Sequence, residues 1–151
     1  INLEFYSSNL YLQMSAWCDL KGLDGCAAFL RAHAREELGH MHKLFKYVNE
    51  TGSLPLIGTI KAPESEYKTV TGLFEKVYEH EVLITGKINE LLAHAIKEED
   101  HSTVSFLQWY VAEQHEEEHT FQQILDKIRI IGEEGSGVFF IDRAVGSMLR
   151  H

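Results

Sequence analysis

Three long stretches of this chain repeat apolar residues at steps of three and four, and each gives an inward position to a glutamate. Between Cys26 and Asn49 the series Ala27, Leu30, Ala34, Met41, Leu44, Val48 leaves its vacant slot to Glu37. Between Val70 and Lys97 the series Phe74, Val77, Ile84, Ile88, Leu91, Ala95 is completed by Glu81. Between Thr103 and Ile131 the residues Leu107, Tyr110, Phe121, Ile124, Ile128 and Ile131 share their face with Gln114 and Glu117. Such steps describe one side of an α-helix. A carboxylate placed there loses its hydration, a cost that must be offset by a proton, a partner or a cation. The chain is therefore expected to be all-helical, with an acidic centre that something neutralises.

The remaining elements are shorter. Leu3, Leu10, Met14 and Trp17 form one stripe of a first helix ending near Lys21-Gly22, and Glu4 lies seven residues from Tyr11 on a common face. This pattern is already under way at Leu3, behind a first residue that is Ile1, so the start of the first helix is expected to be missing. Asp24 is expected to cap the second helix. Residues 53–69 hold no helical stripe but both prolines, Pro55 and Pro63. A connection this long can run the length of a bundle and join parallel helices, and its apolar residues Leu54, Leu56, Ile57 and Ile60 are expected to pack. Asp100-His101-Ser102 reads as a tight turn. Beyond Gly132, Gly135 and Gly137, residues 138–149 read as a short fifth helix. The expected architecture is a single domain over 1–151: a four-helix bundle with a long connection between its second and third helices and a short fifth helix.

The acids can be tested for a common height. In an antiparallel hairpin, residues equidistant from the turn lie level. The midpoint of positions 81 and 117 is residue 99, beside the turn at Asp100, and the midpoint of 4 and 37 falls between 20 and 21, beside Gly22. Glu4 with Glu37, and Glu81 with Glu117, are thus nearly level in their hairpins. Four carboxylates in a bundle centre would either hold protons at raised pKa or bind cations. Glu37 and His40 are three apart on one helical face, and an imidazole beside a carboxylate favours a metal. Oxygen donors with one imidazole suit iron or manganese, with zinc as a competitor, and four carboxylates balance two divalent ions. Charge agrees: the 151-residue chain is 44% hydrophobic with a net charge of −9. That excess attracts cations and argues against nucleic acid or an anionic membrane as partner. Cys18 and Cys26 form no disulfide framework, so reduced thiols and a cytoplasmic location are expected.

Taken together, Glu4, Glu37-Leu38-Gly39-His40, Glu81 and Gln114-His115-Glu116-Glu117 resemble the ferritin-like di-iron proteins. The runs at 2–8, 14–18 and 106–118 look closely like the non-haem bacterial ferritins. Haem-carrying bacterioferritins repeat Glu-x-x-His on the fourth helix, where this chain has Gln-x-x-Glu, and place a haem-ligating Met where Leu38 stands, so no haem is expected. A rubrerythrin would add a Cys-rich iron domain.

The resemblance implies one iron held by Glu4, Glu37 and His40 and a second by Glu37, Glu81 and Glu117, with Gln114 nearby and Glu37 bridging. It implies Tyr11 as a hydrogen-bonding or electron-supplying neighbour, and a third iron site from Glu36, Glu113, Glu116 and Glu117. It also implies Fe2+ oxidation by O2 or hydrogen peroxide, and a homo-oligomeric cage of twenty-four subunits storing ferric mineral, the fifth helix lining a symmetry axis. Two other functions suit an acidic bundle centre: a di-iron redox enzyme that stores nothing, and a helical interaction module with protonated acids. His115 and His119 read as surface residues, and Gly39 inside a helix costs about 1 kcal/mol against Ala without an evident reason.

Overall fold

A computed structural model describes residues 1–149. Among them are five α-helices and no strand: α1 (Asn2–Leu20), α2 (Asp24–Glu50), α3 (Val70–Lys97), α4 (His101–Ile131) and α5 (Gly137–Gly146). No described helix is long and apolar enough to cross a membrane. The backbone forms two compact units, residues 1–68 with 131 onward, and residues 69–130. Of the single domain expected over 1–151, residues 150 and 151 lie outside the described residues.

In the first unit α1 and α2 form an antiparallel pair. Gly22 reverses the chain at φ +74. Its N–H donates to the Asp19 carbonyl at 3.0 Å and that of Leu23 to the Cys18 carbonyl at 2.9 Å, which closes the end of α1. Ser8 Oγ donates to the Ala34 carbonyl at 2.7 Å and ties the pair together midway. The buried residues of α1 are Glu4, Ser7, Leu10, Tyr11, Met14, Ser15 and Cys18. Leu3 and Trp17, expected among them, are half-buried. Polar Glu4 and Ser7 hold inward positions that a purely apolar reading skips.

Asp24 does not cap α2: it is the first helical residue, and Leu23 holds the cap position without a side-chain hydrogen bond. The cap comes from α5, whose Asp142 carboxylate accepts from Gly25 N (3.1 Å) and Cys26 N (2.7 Å). The helices cross tightly. A Cβ on Gly146 would sit 2.9 Å from Gly25 Cα, and one on Gly25 would strike the Asp142 carbonyl oxygen. The fifth helix stops at Gly146, three residues before the expected Leu149.

Residues 53–68 belong to this unit and form no helix. Asn2 pins them, its amide donating to the Leu56 carbonyl (3.1 Å) and accepting from Gly58 N (3.0 Å). Pro55 is buried, and Trp17 meets Tyr67 edge to face with centroids 5.8 Å apart. The expectation that Leu54, Leu56 and Ile57 pack is wrong: they are 78%, 70% and 55% exposed. Backbone bonds and the proline hold the segment instead, which leaves its apolar side chains facing outward.

In the second unit α3 starts at Thr69, whose hydroxyl accepts from Gly72 N at 2.9 Å. It buries Phe74, Val77, Glu81, Ile84, Ile88 and Ala95, while Leu91 stands 43% exposed, contrary to its place in the seam. The turn to α4 is tighter than expected, with His101 and Ser102 already helical. Glu99 occupies the left-handed region at φ +56, and Asp100 N donates to the Ala95 carbonyl at 2.9 Å. Asp100 then caps α4 by accepting from Thr103 N at 3.0 Å. On α4 the buried face is Leu107, Tyr110, Gln114, Glu117, Phe121, Ile124 and Ile128.

Candidate metal centre

Glu4 comes from the first turn of α1, and Glu37 and His40 from the middle of α2. All three are buried, and one ligand atom from each lies within 4.8 Å of the others. The hairpin at Gly22 produces this: equal distances from the turn bring positions 4 and 37 level, and the one-turn step from 37 to 40 adds the imidazole. His40 Nδ1 stands 3.4 Å from Glu37 Oε2. Loss of hydration pushes the Glu4 carboxyl up to about 9. A hydrogen bond to Glu37 and the charge of Glu37 add to the rise, and His40 offsets part of it. At neutral pH Glu4 therefore keeps its proton and shares it with Glu37. Tyr11 lies fully buried on the same face of α1, two turns beyond Glu4.

In the second unit the Gln114 amide nitrogen donates to Glu81 Oε2 at 3.0 Å, and the Glu81 carbonyl and Thr85 Oγ1 lie 3.3 and 3.4 Å away. Gln114 thus orients the Glu81 carboxylate. Glu117 follows one turn later on the same face and is 4% exposed. Two residues here escaped the sequence reading. Thr85, one turn from Glu81, is signalled only by that spacing. His80 is held neutral by burial, which lowers its pKa to about 4. Nothing in the apolar periodicity marks it, because it lies beside the seam.

The remaining candidates lie further out. Glu36 on α2 and Glu116 on α4 are exposed, and Glu113 on α4 is half-buried. Two carboxyls and an imidazole gathered out of water in the first unit form a donor set that suits a divalent first-row ion and offers it no thiolate. Cys18 and Cys26 are buried and reduced, and burial pushes the Cys18 thiol up to about 12.

Residues 1–131 match the ferritin family, described as a ferritin-like domain. The chain belongs to the ferritin family. A probable bacterial non-heme ferritin-like protein of Haemophilus influenzae is 59% identical over 148 residues, which cover 98% of this chain and 90% of that one. The bacterial non-heme ferritin of Escherichia coli is 51% identical with the same coverage. Among solved structures, an open-pore ferritin from Archaeoglobus fulgidus superposes with a TM-score of 0.94 at 42% identity, covering 99% of this chain and 90% of that one. The Chlorobium tepidum ferritin does so with a TM-score of 0.85 at 52% identity, covering 98% and 91%. The fold is that of this family, the all-α four-helix-bundle class with a short fifth helix.

Proposed function

We propose that this chain stores iron and oxidises the Fe2+ it takes up. The observation that carries the reading is the buried Glu4–Glu37–His40 cluster, whose ligand atoms lie within 4.8 Å of one another and whose burial raises the Glu4 carboxyl to about 9. One Fe2+ is held by Glu4, Glu37 and His40. A second is held by Glu37, Glu81 and Glu117, with Glu37 bridging and Gln114 orienting Glu81. Binding the first ion expels the Glu4 proton, because the ligand must be ionised. Each Fe2+ then gives up one electron. Two electrons and two protons convert one O2 to hydrogen peroxide, and hydrogen peroxide itself serves as an alternative oxidant. Tyr11 sits where it can hydrogen-bond a ligand or lend an electron. Fe3+ hydrolyses, releases protons and passes toward the mineral. Glu36, Glu113, Glu116 and Glu117 form a third iron site beside the pair.

Residues 1–151 act as one domain. The assembly is a homo-oligomeric cage of twenty-four copies in the cytoplasm, without haem. Support comes from the apolar side chains the single chain leaves outside: Leu54, Leu56 and Ile57 in the long connection, and Phe139 and Phe140 on α5, 59% and 53% exposed. Copies of the chain would cover them and gain about 25 cal/mol for each Å2 of apolar surface removed from water.

Aerobic Fe2+ addition followed by gel filtration tests the reading. A large particle that carries ferric iron supports storage. A small species that oxidises Fe2+ but loses it would make the protein a non-storing redox enzyme. Glu37→Ala should slow oxidation by orders of magnitude, since it removes a ligand of both ions. Wild-type rates in that variant would end the site assignment.

A further inference from the structure

We propose that His33 is a ligand for Fe2+ and that, with Glu36, it forms a waiting site from which the ion passes along α2 into the buried Glu4–Glu37–His40 cluster. The inference rests on the proposed function, in which Glu36 holds a third ion among carboxylates alone. It adds a nitrogen donor to that ion and gives the site a place in the route.

His33 and Glu36 are three residues apart on α2, and a ligand atom of one lies within 4.8 Å of a ligand atom of the other. Metal–ligand bonds of about 2.0–2.2 Å place two donors up to about 4.4 Å apart, so a small side-chain rotation seats one ion between them. The imidazole is held for this role. Its Nδ1 lies 3.2 Å from the Phe29 carbonyl oxygen. A carbonyl can only accept, so Nδ1 carries a proton and donates it, and in the neutral ring Nε2 carries the lone pair. Metal-binding histidines as a rule donate their other ring N–H in this way, which fixes the tautomer and the ring orientation. The buried Phe29 ring also packs against the imidazole, with centroids 4.2 Å apart and planes inclined by 31°. The ligand is therefore oriented before an ion arrives.

Glu36 connects this pair with the buried cluster. A Glu36 carboxylate oxygen also lies within 4.8 Å of a ring nitrogen of His40, one turn further along α2. Burial changes along the way: Glu36 is exposed, His33 half-buried and His40 buried. An ion held by His33 and Glu36 keeps part of its water shell, and a swing of the Glu36 carboxylate carries it toward His40. Each step exchanges one donor for another, so the ion avoids the large cost of an uncompensated charge away from water.

The test is a Zn2+ soak of crystals of the full-length assembled protein, with anomalous scattering to place the ions, and calorimetric Zn2+ titration in solution. The wild type should show an ion bonded to a His33 nitrogen and a Glu36 oxygen, separate from the one in the buried cluster. His33→Gln and Glu36→Gln should each lose that ion or hold it at least about 10-fold more weakly, the loss that removal of even an outer partner costs a metal site. The ion at Glu4, Glu37 and His40 should stay in both. His42→Gln, which alters an exposed histidine on the opposite side of α2, should bind zinc as the wild type does. In aerobic oxidation, His33→Gln should raise the Fe2+ concentration needed for the half-maximal rate. The proposal is overturned if zinc fills the buried cluster and leaves His33 without an ion. It is equally overturned if His33→Gln binds as many zinc ions as tightly as the wild type. Zinc missing from the buried cluster too would overturn the metal centre itself, and the waiting site with it.

Discussion

Asp142→Ala should unseat α5 from the start of α2. The Asp142 carboxylate accepts from two backbone N–H groups, Gly25 at 3.1 Å and Cys26 at 2.7 Å, and it adds a second negative charge to that of Asp24 at the N-terminus of α2. Hydrogen bonds to a charged acceptor contribute about 1.5–3 kcal/mol each when buried. These are half-buried, so water recovers part of the loss. A side-chain cap alone is worth about 0.5–2 kcal/mol, and a charge at a helix end about 0.3–1 kcal/mol. The expected loss is about 2–3 kcal/mol, or about 5–10 °C for a chain of this size. Thermal melting at fixed protein concentration measures it, and Asp142→Asn, which keeps one acceptor oxygen, should lose about half as much. A local readout comes from the cysteines. Cys26 hydrogen-bonds Asp142, Cys18 feels its charge, and both thiols are fully buried. If α5 opens before the rest unfolds, 2 kcal/mol should speed their alkylation about 30-fold. A variant that melts within about 1 °C of wild type and alkylates no faster would show that the Gly25–Gly146 crossing holds α5 without the carboxylate.

Other expectations follow from single groups. The Glu4 carboxyl titrates near 9 when folded and near 4.5 when unfolded, so between those values the folded state holds the extra proton. Metal-free protein should therefore lose stability as pH rises from about 5 to about 9, and denaturant midpoints across that range check the sign. Zn2+ binding at pH 7 in weak buffer should release a proton that Glu4→Gln does not; equal release by both would show that Glu4 is already ionised. Glu99→Gly should raise stability by up to about 1 kcal/mol, by placing glycine at φ +56, where a side chain is strained. Gly39→Ala should also stabilise, by about 0.5–1 kcal/mol, since a Cβ there meets nothing within 4 Å. Nothing in the structure requires glycine at that position.

The four long helices were legible because helical period and burial agree along each. Glu37, Glu81 and Glu117 announced themselves as acids in apolar seams, and level spacing about the turns brought Glu4 to Glu37 as the hairpin requires. Where burial departs from hydrophobicity, the sequence misled. The stripe of α1 is carried partly by Glu4 and Ser7, and Leu54, Leu56 and Ile57 face outward because the segment that bears them has no helical face to turn inward.

Local pattern thus determined the all-helical class, the helix ends to within a few residues, and which acids must be neutralised, because each depends on neighbours within one or two turns. Tertiary structure alone decided that Asp142 caps a helix 116 residues away, that Gln114 orients Glu81, and that Glu4 holds its proton. Those outcomes depend on which groups from distant segments share a volume without water. Residue order along a single helix does not specify that.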